Sequence, residues 1–164
     1  MALAALITWV LTAGLGFFML GTWVSNGGTR TDGSGTSHFR PPVVFGHFLL
    51  AAAGLVVWVV YLVTDSQALA WAAFVDLLVV AGIGDTLVYR WFKDRKTGGG
   101  RPADSSGSRH EAGGSAARAG GAVGTHPPLL AEQRIPQAAV AAHGVFAVAT
   151  VVLVLLTALG VGGS

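Results

Sequence analysis

Four ionisable side chains lie within long apolar stretches of the sequence, where a charged group is costly and usually has a function. They are His47, Asp76, Asp85 and His143. Two neutral imidazoles can ligate a haem iron, and histidine also binds Zn, Cu, Fe or Ni. Because histidine titrates near neutral pH, it can also exchange protons with a carboxylate. The candidate chemistry is therefore electron transfer, metal binding or proton relay.

The depth of these residues in their apolar segments decides which of them can meet. His47, Asp85 and His143 each lie about four or five residues from the same predicted membrane boundary, which is roughly 6–8 Å at 1.5 Å per residue. Two imidazoles at equal depth on facing helices predict the axial ligands of one haem b. With Asp85 they form an alternative metal site of two histidines and one carboxylate.

Asp76 shares a predicted helix with Asp85 but lies roughly 20 Å from that boundary. A proton relay through Asp76 and Asp85 is an alternative function, although nine residues place the two carboxyl groups on opposite helix faces. A protonated Asp76, or one that bonds a nearby threonine, is the simpler interpretation.

The elements that carry these residues are predicted from hydropathy. Of the 164 residues, 52% are hydrophobic and 11% are charged, against roughly 25% charged in soluble domains. Four apolar segments, each long enough to cross about 30 Å of hydrocarbon, lie at residues 3–24, 43–63, 68–89 and 138–159. The sequence predicts an all-α membrane protein with a single domain of four transmembrane helices.

Two connectors contain or adjoin every lysine and arginine. Residues 25–42 are predicted to form a flexible connector, and residues 97–135, rich in Gly, Ala and Ser, a disordered loop. Because basic loops stay in the cytoplasm, both connectors are predicted to be cytoplasmic and both termini extracytoplasmic. The expected location is the plasma membrane, with several spans in the lipid bilayer.

An internal repeat relates the two halves of the chain. An offset of 68 residues aligns Ala13–Gly16 with Ala81–Gly84, and Trp23 with Trp91, while His47 aligns with His143 in the same order. These matches predict a duplicated two-helix hairpin. The repeated glycines let helices approach closely, or alternatively make room for a flat cofactor.

Several chemistries are excluded by what the sequence lacks. The absence of cysteine excludes disulfides, thiolate metal sites, iron–sulfur clusters and thiol nucleophiles. No P-loop, zinc-protease, hydrolase-elbow or EF-hand pattern occurs, so a stand-alone enzyme is not expected. The net charge of +2 lies beside membrane spans and does not indicate nucleic-acid binding.

Three functions remain open from the residues alone. The first is electron transfer by one haem b at His47 and His143. The second is an accessory or scaffolding subunit, whose small-residue helix faces bind another membrane protein or a second copy. The third is proton or metal-ion relay or transport, for which four helices leave little room without dimerisation.

Two resemblances bear on these alternatives. The stretch from Pro42 to Leu62 and the stretch from Ile135 to Gly144 resemble uncharacterised four-span integral membrane proteins of high-GC actinobacteria. That resemblance implies the topology and no activity. In architecture alone, the chain is also similar to small b-type membrane cytochromes, which usually hold two haems with four histidines. Only two histidines of this chain lie in spans.

Overall fold

The structure is a computed structural model, and it describes residues 1–30, 37–98 and 130–161. This part of the chain is all-α, as predicted. It contains four long helices, each apolar and long enough to cross a membrane. Their bounds are α1 (Ala2–Ser25), α2 (Pro41–Thr64), α3 (Gln67–Gly98) and α4 (Gln137–Ala158). A short 3₁₀ helix, Ala131–Arg134, precedes α4.

The helix ends follow local chemistry. Helix α2 begins at Pro41, where the missing N–H of proline costs nothing because the first turn has no intrahelical partner for it. It ends at Thr64, because the next residue, Asp65, has a left-handed φ of 50°, and α3 begins two residues after Asp65. Helix α3 extends nine residues beyond its predicted end at Tyr89 to Gly98. Its charged segment is rich in Arg and Lys, which favour helix.

The four helices pack as a bundle in which α1 contacts α4 and α2 contacts α3. Helix α1 also contacts α2, and α3 contacts α4, so that α2 and α4 face each other diagonally. The repeat maps α1 onto α3 and α2 onto α4. It therefore maps the packed pair α1–α4 onto the packed pair α3–α2, as a twofold relation between the halves requires.

Burial follows the same repeat. Trp23 and its counterpart Trp91 are 1% and 3% exposed, and Ala5 and Ala73 are both fully buried. Trp58 and Val154 are related by the same offset of 96 residues as His47 and His143. Both are fully buried. These repeat-related positions are thus equally buried in both halves, as expected for a duplicated hairpin.

Two apolar clusters fill the bundle. The turn-side cluster lies near the α2–α3 turn, and its largest members are Trp9 and Trp58, with ring centroids 6.3 Å apart. The loop-side cluster lies near the two connectors and is formed by Trp23, Ala131 and Ile135. Between the two clusters lies the histidine layer, the level of the bundle at which His47 and His143 project from their helices.

The predicted disordered loop, residues 97–135, requires a correction at both ends. Its first two residues continue α3, and Ala131–Arg134 forms the 3₁₀ helix that packs beneath the bundle. Ala131 and Ile135 are buried there because they belong to the loop-side cluster. The remainder of this loop, 99–129, and part of the first connector, 31–36, lie outside the described residues.

Candidate functional site

The structure brings His47 and His143 together across the bundle. Their ring centroids are 6.5 Å apart, and the ring planes are inclined by 55°. Both side chains are half-buried. His47 projects from α2 and His143 from α4, the two helices that lie diagonally across the bundle.

Each imidazole is held by an equivalent hydrogen bond to the backbone of the helix beside it. His47 Nδ1 donates to the Val80 carbonyl oxygen over 3.1 Å, and His143 Nδ1 donates to the Thr12 carbonyl oxygen over 2.9 Å. Thr12 and Val80 are themselves related by the 68-residue offset. Because a carbonyl oxygen only accepts, Nδ1 carries the hydrogen in both rings. Nε2 therefore keeps its lone pair, which is the form of histidine that binds a metal.

The second glycine of each repeated motif makes room for one imidazole. A Cβ atom on Gly16 would lie 3.3 Å from His143 Cε1, and a Cβ atom on Gly84 would lie 3.2 Å from His47 Cε1. A Cβ atom on Gly14 or Gly82 would meet nothing within 4 Å. The repeated motif thus has a specific steric role at its second glycine, which is to let the histidine ring lie against the neighbouring helix.

This arrangement suits coordination of one iron or other metal ion by both rings. A ligand nitrogen lies about 2.1 Å from its metal, so two imidazoles on opposite sides of one ion would have centroids roughly 6–7 Å apart. The observed 6.5 Å falls in that range. The backbone hydrogen bonds orient the rings in advance and increase the basicity of Nε2. The separation of the histidine pair is therefore the one expected if both rings held a single metal ion, such as the iron of a haem.

Asp85 lies close to this layer in the sequence, next to Gly84, but its side chain is exposed on the outside of α3. Successive residues on a helix point about 100° apart, so Gly84 faces His47 while Asp85 faces away. Among the described residues, the group of three His or acidic side chains close enough to share a metal does not include Asp85. The two histidines are together, and the carboxylate of the alternative metal site points elsewhere.

Asp76 lies inside the bundle near the turn-side cluster. Its carboxyl group contacts Gly54, which has no side chain to occupy that space. Oδ2 of Asp76 is buried and has no hydrogen-bond partner among the described residues. Since Asp76 points inward and Asp85 is exposed, the two carboxyl groups of the predicted relay occupy different environments.

A polar group that sequence reasoning missed lies on the loop side of the bundle. It joins His38, Asp94 and Glu132, whose candidate ligand atoms all lie within 4.8 Å of one another. The three residues share no motif spacing and come from distant segments. One signal was present in the sequence: Glu132 follows the apolar residues Leu129, Leu130 and Ala131, an unusual place for a loop carboxylate.

Trp23 and Trp91 help to build this loop side. Both are buried on the loop side. Trp23 Nε1 donates to Ser37 Oγ over 2.9 Å, and Trp91 Nε1 donates to the Glu132 carbonyl oxygen over 3.0 Å. Arg95 stacks over the Trp91 ring at 4.4 Å. These contacts fix the 3₁₀ helix, and therefore Glu132, against α3.

No family model, curated protein or solved structure matches this chain. The resemblance to actinobacterial four-span proteins thus stays a prediction from the sequence.

Proposed function

We propose that this membrane protein binds one haem b between His47 and His143 and transfers electrons. The observation that carries the proposal is the paired geometry of the rings: a centroid separation of 6.5 Å, with both Nδ1 atoms bonded to backbone carbonyls. Haem b held by two imidazoles supplies one-electron redox chemistry.

The residues of the chain have three roles in this proposal. His47 and His143 provide the ligand nitrogens, and the carbonyl groups of Val80 and Thr12 hold each ring in its tautomer. Gly16 and Gly84 allow the rings to lie flush with α1 and α3. The apolar clusters on either side of the histidine layer keep it in a medium of low polarity, which influences the reduction potential.

The test is the absorption spectrum of the full-length protein purified in mild detergent from haem-replete cells. We expect a Soret band and sharp α and β bands after dithionite reduction, with close to one haem per chain. His47→Ala and His143→Ala should each remove the reduced α band. His38→Ala is the matched control because His38 lies outside the histidine layer, and it should keep the spectrum. A featureless wild-type spectrum, or normal spectra in both histidine variants, would refute the proposal.

The orientation of the helices is also proposed, on the distribution of lysine and arginine in the two connectors. The loop side is cytoplasmic and the α2–α3 turn is extracytoplasmic. Because the chain contains no cysteine, single substitutions report on one position at a time. Ser66→Cys should react with a membrane-impermeant maleimide in intact cells, and Lys93→Cys should react only after the membrane is opened. The reverse pattern would overturn the orientation.

A second candidate function is supported by Asp85. Its carboxyl group is exposed on a predicted membrane span, where contact with hydrocarbon is costly. A polar partner on another protein, or on a second copy of this chain, would remove that cost. Native mass spectrometry in detergent should show an oligomer or complex that Asp85→Asn weakens. An unchanged monomer in both proteins would eliminate this role.

A further inference from the structure

The loop side of the bundle holds a group of side chains unrelated to the histidine pair. His38 lies just before α2, Asp94 lies on the extension of α3, and Glu132 lies in the 3₁₀ helix. Three segments that are far apart in the chain thus converge, and each contributes one metal-ligating side chain. Their candidate ligand atoms fall within 4.8 Å of one another, which is close enough for one ion to contact all three.

The buried carboxylate of Glu132 is the main evidence for a bound cation. Its side chain is 0% exposed. Oε1 accepts a hydrogen bond from the backbone N–H of His38 over 2.7 Å, while Oε2 is buried and has no hydrogen-bond partner among the described residues. A buried carboxylate oxygen without a partner costs free energy, so a positive charge at this position would be strongly stabilising.

The distance between the other two side chains fits a shared ion. His38 Nδ1 and Asp94 Oδ1 are hydrogen-bonded over 3.0 Å. Two ligands that bind one cation at about 2.1 Å and at right angles to each other are separated by roughly the same 3 Å. A cation that replaces the hydrogen between these two atoms, with release of that proton, therefore needs little movement of either side chain.

We infer that His38, Asp94 and Glu132 form a binding site for a divalent first-row metal cation. The donor set is one imidazole and two carboxylates. Calcium and magnesium favour oxygen ligands alone, whereas an imidazole in the set favours Mn²⁺, Fe²⁺ or Zn²⁺. With three protein ligands, the remaining coordination positions are filled by water.

A surface cleft of about 350 Å³ connects this site to solvent, and His38 and Asp94 both line it. It provides the entry path and the space for metal-bound water. Arg90 and Lys93 line the same cleft, and their positive charges oppose a cation. We therefore expect weaker binding than that of a closed structural zinc site.

The bound cation would join three segments that otherwise meet through hydrogen bonds. It would link the first connector to α3, and α3 to the 3₁₀ helix. Its binding free energy would add to the stability of the loop side, because metal that binds only the folded arrangement shifts the folding equilibrium.

The test uses the full-length protein in detergent, stripped with EDTA and titrated calorimetrically with Zn²⁺ and, separately, with Mn²⁺. We expect at least one saturable site for each metal. Glu132→Gln keeps the shape and the acceptor for His38 N–H but loses the charge, so affinity should fall at least about tenfold. Asp65→Asn, which removes an exposed carboxylate at the α2–α3 turn, should leave the affinity unchanged.

Two further variants keep the test decisive. If Glu132→Gln does not fold, His38→Ala replaces it, because that side chain is 59% exposed and its loss leaves the core intact. Because the histidine pair could also bind Zn²⁺, a variant with both His47→Ala and His143→Ala should retain the site. Absence of binding in the wild type, equal binding after loss of Glu132 or His38, or loss of binding with the histidine pair would each overturn the inference.

Discussion

The two packed helix pairs of the bundle make the same contacts at the histidine layer and different contacts on its turn side. At the histidine layer each half contributes one imidazole, one backbone carbonyl acceptor and one glycine in the same relative positions. On the turn side, Thr150 Oγ1 donates to Thr8 Oγ1 over 3.0 Å in the α1–α4 pair. The repeat-equivalent positions in the α2–α3 pair are Gly54 and Asp76, where a carboxyl group occupies the space above a glycine.

This difference is the one expected if the two halves share a ligand at the histidine layer, as proposed for haem. A ligand bound on the axis between the halves needs the same group from both sides, so a change in one half alone would unbalance the site. A contact within one helix pair has no such requirement, and the other pair can diverge. The contacts on the loop side also differ between the halves, because Trp23 bonds a serine hydroxyl and Trp91 bonds the backbone of the 3₁₀ helix.

The largest expected effect comes from breaking the symmetric layer. Gly16→Val and Gly84→Val each place side-chain atoms against an imidazole that lies only 3.2–3.3 Å from where a Cβ atom would stand. Each should displace its histidine and abolish the reduced α band of bound haem, with equal loss from either half. Haem content per chain, measured as a pyridine haemochrome, checks this.

Gly14→Val and Gly82→Val are the matched controls, because a Cβ atom at these positions meets nothing within 4 Å. Both should retain haem. Retention of haem in the Gly16 or Gly84 variants, or a loss that is equally large in the controls, would show that the two glycines do not serve the imidazoles.

A smaller effect is expected where the halves differ. Gly54→Ala introduces a Cβ atom that overlaps the Asp76 carboxyl group and approaches Trp9. We expect the free energy of unfolding to fall by about 1–3 kcal/mol, as for other overpacked sites. Denaturant titration in detergent followed by tryptophan fluorescence measures it. In a double variant that also carries Asp76→Ala, most of the stability lost through Gly54→Ala should return. If it does not return, the overlap of the new Cβ atom is with Trp9 and not with Asp76.

The smallest effect is expected at the counterpart of Gly54. Thr150→Val keeps the branched shape and removes the hydroxyl bond to Thr8, at a cost of about 0.6–1 kcal/mol. Thr157→Val is the control, because its hydroxyl bonds only the Leu153 carbonyl of its own helix. The same unfolding titration should rank Thr150→Val below the wild type and below Thr157→Val. An equal cost for both would mean that the bond between helices adds nothing.

The fold was predictable because it depends on the length and hydropathy of uninterrupted apolar segments of the sequence. A backbone in hydrocarbon must satisfy its own hydrogen bonds, so an apolar segment of sufficient length becomes a helix. The predicted spans agree with the observed helices, except that α3 continues past Tyr89 to Gly98. The equal depth of His47 and His143 followed from their distance to the helix ends, since the helical rise is constant.

What the sequence by itself determined is therefore the set of helices, the repeat and the depth of each polar group. The tertiary structure decided the direction of each side chain. It turned Gly84 inward and Asp85 outward, although they are adjacent, because helix rotation about its axis is set by packing against neighbours. It also joined His38 to Asp94 and Glu132 across separations of 56 and 94 residues. No local pattern encodes such convergence, because it depends on which buried surfaces the connectors cover.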